Sequence, residues 1–157
     1  MSLTNPVEIN LFPTRIYRVE LDKNLIPSDI SSEELVNKGY NFFTGVPDSA
    51  LKPFQNSILE SDFEHVIATN EGQAVGIAFG AEITGKKSCV YLQNSGLGNT
   101  INPLTSLCIP FKVEPLLIIG HRHTLEQHKV MGETDEKILK AIGYKNYFII
   151  KGENNVK

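Results

Sequence analysis

The chain has 157 residues, 41% of them hydrophobic and 21% charged, and carries a formal net charge of −3. That length and composition fit one ordinary globular domain with a real core. No like-charge run marks a nucleic-acid or anionic-membrane binder, and nothing in the sequence spans a bilayer or follows a signal-peptide pattern, so a cytoplasmic protein is expected.

In chain order, residues 1–28 carry Pro13 and Pro27 and follow no helical period. They read as an N-terminal arm with at most one edge strand, ahead of an α/β domain over 29–157. "SSEELVNKG" predicts a short helix capped by Ser31 or Ser32 and ended by Gly39. "YNFFTG" predicts a buried strand. "DSALKPFQNSILE" spaces Leu51, Phe54, Ile58 and Leu59 as a helix, with Asp48 or Ser49 as its cap and Pro53 early enough to be tolerated. "HVIAT" is a strand, followed by the glycine-rich helix "NEGQAVGIAFGAEITG". "SCVYLQ" is a strand carrying Cys89, which with Cys108 reads as a reduced, buried thiol, since CxxC spacing is missing. "NSGLGNTINPLTSL" predicts a loop and a helix bent or started at Pro103. "PLLIIG" is a strand, "HRHTLEQHKVMG" a loop, "ETDEKILKAIG" a helix and "YFII" a last strand.

Apolar strands alternating with helices predict an α/β fold: a parallel sheet of about five or six strands with helices on both faces. Ligands of such sheets sit beyond the carboxyl ends of the strands. Those ends gather Gly45 to Ser49, Thr69 to Glu71, Gln93 to Gly96 and Gly120 to His123 on one rim.

Glu71 heads a row of Gly72, Gly76 and Gly80, one per helical turn. Each glycine inside a helix costs about 0.5–1 kcal/mol relative to alanine. The row therefore implies a tight internal or subunit contact, with the carboxylate buried at that junction; the plainer alternative is an acid placed by the helix dipole. "QNSGLGNT" is neither a full GxGxxG nor a Walker motif, and reads as a phosphate cradle or as a turn that lets a flat ring approach the backbone. His121 and His123 are expected to point to opposite sides of an extended loop, which speaks against zinc, and no metal site is assigned within the chain. With Arg122, whose planar fork suits a phosphonate, sulfonate or carboxylate, they read as acid–base or anion-binding groups or as a plain solvated loop. His65 reads as structural.

"FFTGVPDSALKPF", "TNEGQAVGIAFG", "VYLQNSGLGNTINPLTSL", "LLIIGHR" and "QHKVMG" together resemble the pyrimidine-binding half of the thiamine-diphosphate-dependent 2-oxo acid decarboxylases, in particular the phosphonopyruvate decarboxylases and sulfopyruvate decarboxylase alpha subunits. The resemblance covers roughly residues 32–150. It implies that Glu71 hydrogen-bonds the aminopyrimidine ring nitrogen of the cofactor and so favours its imino tautomer. It places Val46, Pro47, Asn94, Ser95 and Gly96 beside the cofactor and Asp48 or Ser49 near the reacting carbon. His121 falls where some relatives carry a catalytic histidine. Ser49, Asn94, Arg122 and His123 become candidates for holding the substrate.

The resemblance also implies thiamine diphosphate and Mg²⁺, the latter held with the diphosphate by a second domain bearing a GDG motif. This sequence has no GDG. A partner subunit or domain is therefore expected in a homo- or hetero-oligomer, and the closing "KGENNVK" reads as a terminus, favouring a subunit over a fragment. The implied activity is decarboxylation of a small anionic 2-oxo acid such as phosphonopyruvate or sulfopyruvate to CO₂ and an aldehyde. The alternatives are a non-catalytic regulatory or scaffold subunit and a carboligase of the acetolactate type.

Overall fold

A computed structural model describes residues 31–151; the expected arm and residues 152–157 lie outside them. Five strands form one parallel sheet: β1 (Phe42–Gly45), β2 (Glu64–Ile67), β3 (Ser88–Gln93), β4 (Leu116–His121) and β5 (Tyr147–Lys151), in the spatial order β2-β1-β3-β4-β5. The α/β expectation therefore holds, with five strands described. The chain runs outward from β1 to β2 and then crosses back to β3, so the strand order reverses between β1 and β3. In open α/β sheets that reversal opens a crevice at the carboxyl ends.

Strand alternation sorts the core into two layers. Val90, Leu92, Leu117 and Ile119 face α3 (Glu71–Ile83), α4 (Leu97–Pro103) and α6 (Glu126–Ala141), packing with Ala74, Val75, Ala78, Leu97, Leu104 and Leu139. Phe43, Cys89, Tyr91, Leu116 and Ile118 face the other way, against α1 (Ser32–Asn37) and α2 (Lys52–Leu59) through Leu35, Leu51, Phe54 and Ile58. Cys89 and Cys108 are free and buried, as read from the sequence. Caps also follow the sequence: Ser31 Oγ accepts from Glu34 N at 3.2 Å, and Asp48 Oδ2 accepts from Ala50 N at 3.2 Å to start a 3₁₀ turn over Ser49–Leu51 that leads into α2. His65 is structural, its Nε2 lying 2.8 Å from the Tyr91 hydroxyl.

Four expectations need correction. The strand read from "HVIAT" is not covered on both faces: β2 is the sheet edge, pairing among the described strands with β1 alone, and Val66 and Ile67 are exposed. Leu59, placed with the buried stripe of its helix, is 60% exposed. The stretch "EQHKVMG", expected as loop, forms the first half of α6, with Gly132 inside it. A Cβ there would stand 2.7 Å from the Arg122 carbonyl oxygen, so this glycine admits the incoming rim loop instead of ending the helix. Finally, of the two alternatives at Pro103 the helix start is the one overturned: α4 starts at Leu97 and changes at Pro103 into a π-helical stretch at Leu104–Cys108 and a last turn, α5 (Ile109–Phe111). Pro103 offers no N–H to the Asn99 carbonyl one turn earlier, and mid-helix proline disturbs the ladder in this way.

Candidate active site

The alternation that builds the core also divides the rim. Gln93 and Gly120 continue the α2 side of the sheet, while Asn94 and His121 turn to the α6 side. On the α2 side, Asp48 is the central group. Its Oδ1 accepts from Gln93 Nε2 at 3.2 Å and pairs with Arg122 Nη2 at 3.1 Å, with the two charged side chains 6% and 30% exposed. The same guanidinium donates to Ser49 Oγ. Gly120 makes room for the carboxylate, since a Cβ there would lie 2.7 Å from Asp48 Oδ2. Burial raises the Asp48 carboxyl above the usual aspartate range, against the lowering pull of Arg122, of the Ala50 and Ser49 N–H groups and of His128.

On the opposite side, Asn70 caps α3, its Oδ1 accepting from Gln73 N at 2.9 Å. Glu71 is thereby the first helical residue, where the helix field favours a negative charge. Its Oε2 accepts from Asn99 Nδ2 at 2.7 Å. The rest of the carboxylate lies against the bare face of Gly96: a Cβ on that glycine would come within 2.7 Å of Glu71 Cγ and closer still to Cδ and Oε1. Gly72 seats the helix head on α4, where a Cβ would meet the Asn99 carbonyl oxygen at 2.8 Å. Of the two contacts expected for the glycine row, the internal one is confined to this residue, because among the described residues nothing lies within 4 Å of a Cβ at Gly76 or Gly80. Glu71 is half-buried rather than buried within the chain.

Asn94, fully buried, ties β3 to the rim loop after β4. Its Oδ1 accepts from Arg122 N at 3.2 Å, and its Nδ2 donates to the Arg122 carbonyl at 2.8 Å and to Asp135 Oδ2 at 3.4 Å. The same Asp135 oxygen is 2.7 Å from His121 Nδ1, and both side chains are nearly buried, at 5% and 9% exposed. His121 and His123 do not diverge as expected: their rings meet at a 37° tilt with centroids 5.0 Å apart. Residues two apart on extended backbone return to the same face. Val46 is half-buried and Pro47 and Ser95 are exposed.

All of the expected site residues thus stand at the sheet's carboxyl rim, but in two groups on either side of it. Asp48, Ser49 and Arg122 form one, with Gln93. The Glu71–Asn99–Gly96 contact and the Asn94–His121–Asp135 cluster make up the other. Arg122, read as an anion clamp, already holds a carboxylate of its own chain. Sequence reasoning placed Gln93 on the rim without a role and missed Asn99 and Asp135. Asp135 stands among Glu133, Glu136 and Lys137 and looks like part of a solvated face; its only signal is its place four residues before Leu139, on the buried side of α6.

A parallel α/β domain with its strand order reversing beside a proline turn, a glycine turn and a helix-head carboxylate belongs to the ligand-binding class of open sheets. The chain belongs, more narrowly, to the family described as "Thiamine pyrophosphate enzyme, N-terminal TPP binding domain", which matches residues 28–137. Among curated relatives it is 34% identical over 121 residues to the sulfopyruvate decarboxylase subunit alpha of Methanococcus maripaludis, covering 73% of this chain and 72% of the relative. It is 38% identical over 110 residues to the subunit of the same name from Methanocaldococcus jannaschii, covering 67% and 65%. The phosphonopyruvate decarboxylase of Streptomyces viridochromogenes is 35% identical over 111 residues, which are 67% of this chain and 28% of that protein. No helix among the described residues is long and apolar enough to cross a membrane.

Proposed function

We propose that this chain is the pyrimidine-holding half of a thiamine-diphosphate-dependent decarboxylase acting on a small anionic 2-oxo acid, sulfopyruvate or phosphonopyruvate, and that it works with a partner holding the diphosphate and Mg²⁺. One observation carries the reading. Glu71 presents a carboxylate with Oε2 held by Asn99, Oε1 without a hydrogen-bond partner among the described residues, and the backbone of Gly96 stripped of side chain beside it. That is a fixed acceptor next to a flat surface, which fits a ring N–H and an aromatic face.

Thiamine diphosphate, when bound, supplies the nucleophilic carbon and electron sink that a 2-oxo acid needs to lose CO₂. The chain's part is to orient and to handle charge. Glu71 would accept a hydrogen bond from the ring N–H, and the Val46–Pro47 and Asn94–Gly96 turns would border the ring. Arg122 exchanges its carboxylate partner for the sulfonate or phosphonate of the substrate, two oxygens of the tetrahedral anion meeting the paired N–H donors of the planar fork. Asp48, deprived of much of its hydration, is suited to hold a proton near the reacting carbon, with Ser49 beside it. His121 is a second proton-handling group on the rim, and His123 a further substrate contact. The two relatives named as alpha subunits support a partner chain, and residues 29–157 would be the unit that meets it, with 1–28 as an arm.

The test is Glu71→Gln in the chain assembled with its partner. Turnover of the 2-oxo acid should fall by at least a hundredfold with the melting temperature little changed, on the scale of losing a group that acts on the reacting system. Activity within tenfold of wild type removes the assignment.

A further inference from the structure

The Asn94–His121–Asp135 cluster does something that a helix cap or a core contact does not. Asp135 is 3% exposed and lies in the middle of a helix, where burying an unpaired carboxylate is costly. It is not unpaired: Oδ2 meets His121 Nδ1 at 2.7 Å and Asn94 Nδ2 at 3.4 Å, and Oδ1 accepts from Glu136 N at 2.7 Å. The other ring nitrogen of His121, Nε2, has no hydrogen-bond partner among the described residues. His121 and Asp135 both line a groove of about 390 Å³ between α6 and β5, together with Glu133, Glu136, Lys137 and Lys151. A carboxylate on one imidazole nitrogen fixes both the tautomer and the ring orientation, and leaves the opposite nitrogen as the atom that exchanges protons.

The geometry points to Asp135 as the positioning residue of His121: it takes the Nδ1–H and holds Nε2 as a proton acceptor at the rim. Its catalytic consequence rests on the decarboxylase reading, whereas the tautomer itself does not. Asn94 serves this arrangement twice, steering Asp135 with its amide and pinning the Arg122 backbone that follows His121. The ring of His123, its centroid 5.0 Å away, limits the remaining rotation of His121.

The arrangement makes Asp135→Ala informative. The substitution removes the one acceptor that His121 Nδ1–H has among the described residues, while Asn94 Nδ2 keeps its bond to the Arg122 carbonyl. A neutral imidazole without such an acceptor favours the proton on Nε2. The experiment uses the full chain labelled with ¹⁵N-histidine, at a pH where the imidazoles are neutral, with long-range ¹H–¹⁵N correlation reading the tautomers; His121→Gln assigns the signal. Wild type should show His121 as the Nδ1–H tautomer, and Asp135→Ala should show Nε2–H.

With the partner present, kcat for the 2-oxo acid should fall by about a hundredfold in Asp135→Ala, within the span general acid–base groups supply, at an unaltered far-UV circular dichroism spectrum. An Nε2–H tautomer in wild type overturns the inference, and this arm needs no folded variant. So does an unchanged tautomer in Asp135→Ala, or a kcat within twofold of wild type. If the assembled wild-type protein turns over no 2-oxo acid, the decarboxylase reading fails while the tautomer measurements still decide the role of Asp135.

Discussion

Gly96→Ala separates the carboxylate's position from the fold's stability. The added Cβ would lie within 2.7 Å of Glu71 Cγ and closer to the carboxyl atoms, whereas carbon atoms pack at about 3.5–4.0 Å. The carboxylate must therefore retreat by about 1 Å and give up its 2.7 Å hydrogen bond from Asn99. The atoms that yield belong to the far end of a flexible side chain, so the strain is that of an off-rotamer glutamate, about 0.5–1.5 kcal/mol. Gly96 has φ −82°, which alanine adopts without strain, and replacing glycine at such a site returns about 0.4–1 kcal/mol through the unfolded chain. The two nearly cancel, so the melting temperature should move by no more than about 4 °C. Catalysis is different, because a misplacement of about 1 Å costs about a hundredfold. The assay is CO₂ release from sulfopyruvate or phosphonopyruvate by the assembled enzyme, beside a thermal melt. Gly98→Ala is the control: nothing lies within 4 Å of its Cβ, and activity should be unchanged. Activity of Gly96→Ala within threefold of wild type refutes the reasoning. So does a loss of more than 10 °C, which would mean that the turn rather than Glu71 absorbs the clash.

Two other perturbations test neighbouring parts of the structure. Burial raises the Glu82 carboxyl above the usual glutamate range, against hydrogen bonds from Ser88 Oγ at 2.8 Å and Ser88 N at 3.2 Å. The native state then binds the proton more tightly than the unfolded chain, so stability is lost as pH rises from the ordinary glutamate value through the raised one. Glu82→Gln keeps an acceptor for Ser88 and removes that slope, so its melting temperature should exceed wild type at pH 8 and not at pH 3.5; equal profiles would discard the account. Arg122→Met should raise KM for the sulfonate or phosphonate substrate by about tenfold or more, the scale of a charge-assisted hydrogen bond, and raise it less for pyruvate. An equal rise for both substrates would count against the anion role.

The sheet was legible because its strands are dense in β-branched and aromatic residues and bounded by glycine and proline. "PLLIIG" and "SCVYLQ" admit no other reading once helices flank them. What the sequence does not carry is order in space. "HVIAT" reads as one strand of a sheet covered on both faces because apolar composition does not distinguish a central strand from an edge, and only the pairing of β2 with β1 leaves Ile67 in solvent. The start of α6 is hidden for a related reason. Gly132 looks like the end of a loop, but its missing side chain answers to the Arg122 carbonyl, ten residues earlier in the chain. The site was legible residue by residue at the strand ends, and its wiring was not. Nothing local says that Asn94 reaches Asp135, 41 positions away, or that Arg122 spends its charge on Asp48.

The glycine row of α3 shows where the remaining wiring lies. Gly72 is needed inside the chain, because the Asn99 carbonyl leaves no room for a methyl group. Gly76 and Gly80 are not: open space surrounds both, and alanine there would favour the helix by about 0.5–1 kcal/mol at each position. Packing within the described residues returns nothing for that cost. Glu71, one turn before Gly76, shows the same incompleteness, since it is fixed through one oxygen and open at the other. A smooth helix face and a half-satisfied carboxylate on the same helix have a common cause if a second molecule lies against α3, its backbone near Gly76 and Gly80 and its ligand at Glu71. In that arrangement the glycines set how closely the second molecule can approach, and so how deeply the carboxylate is buried when it meets a ring nitrogen.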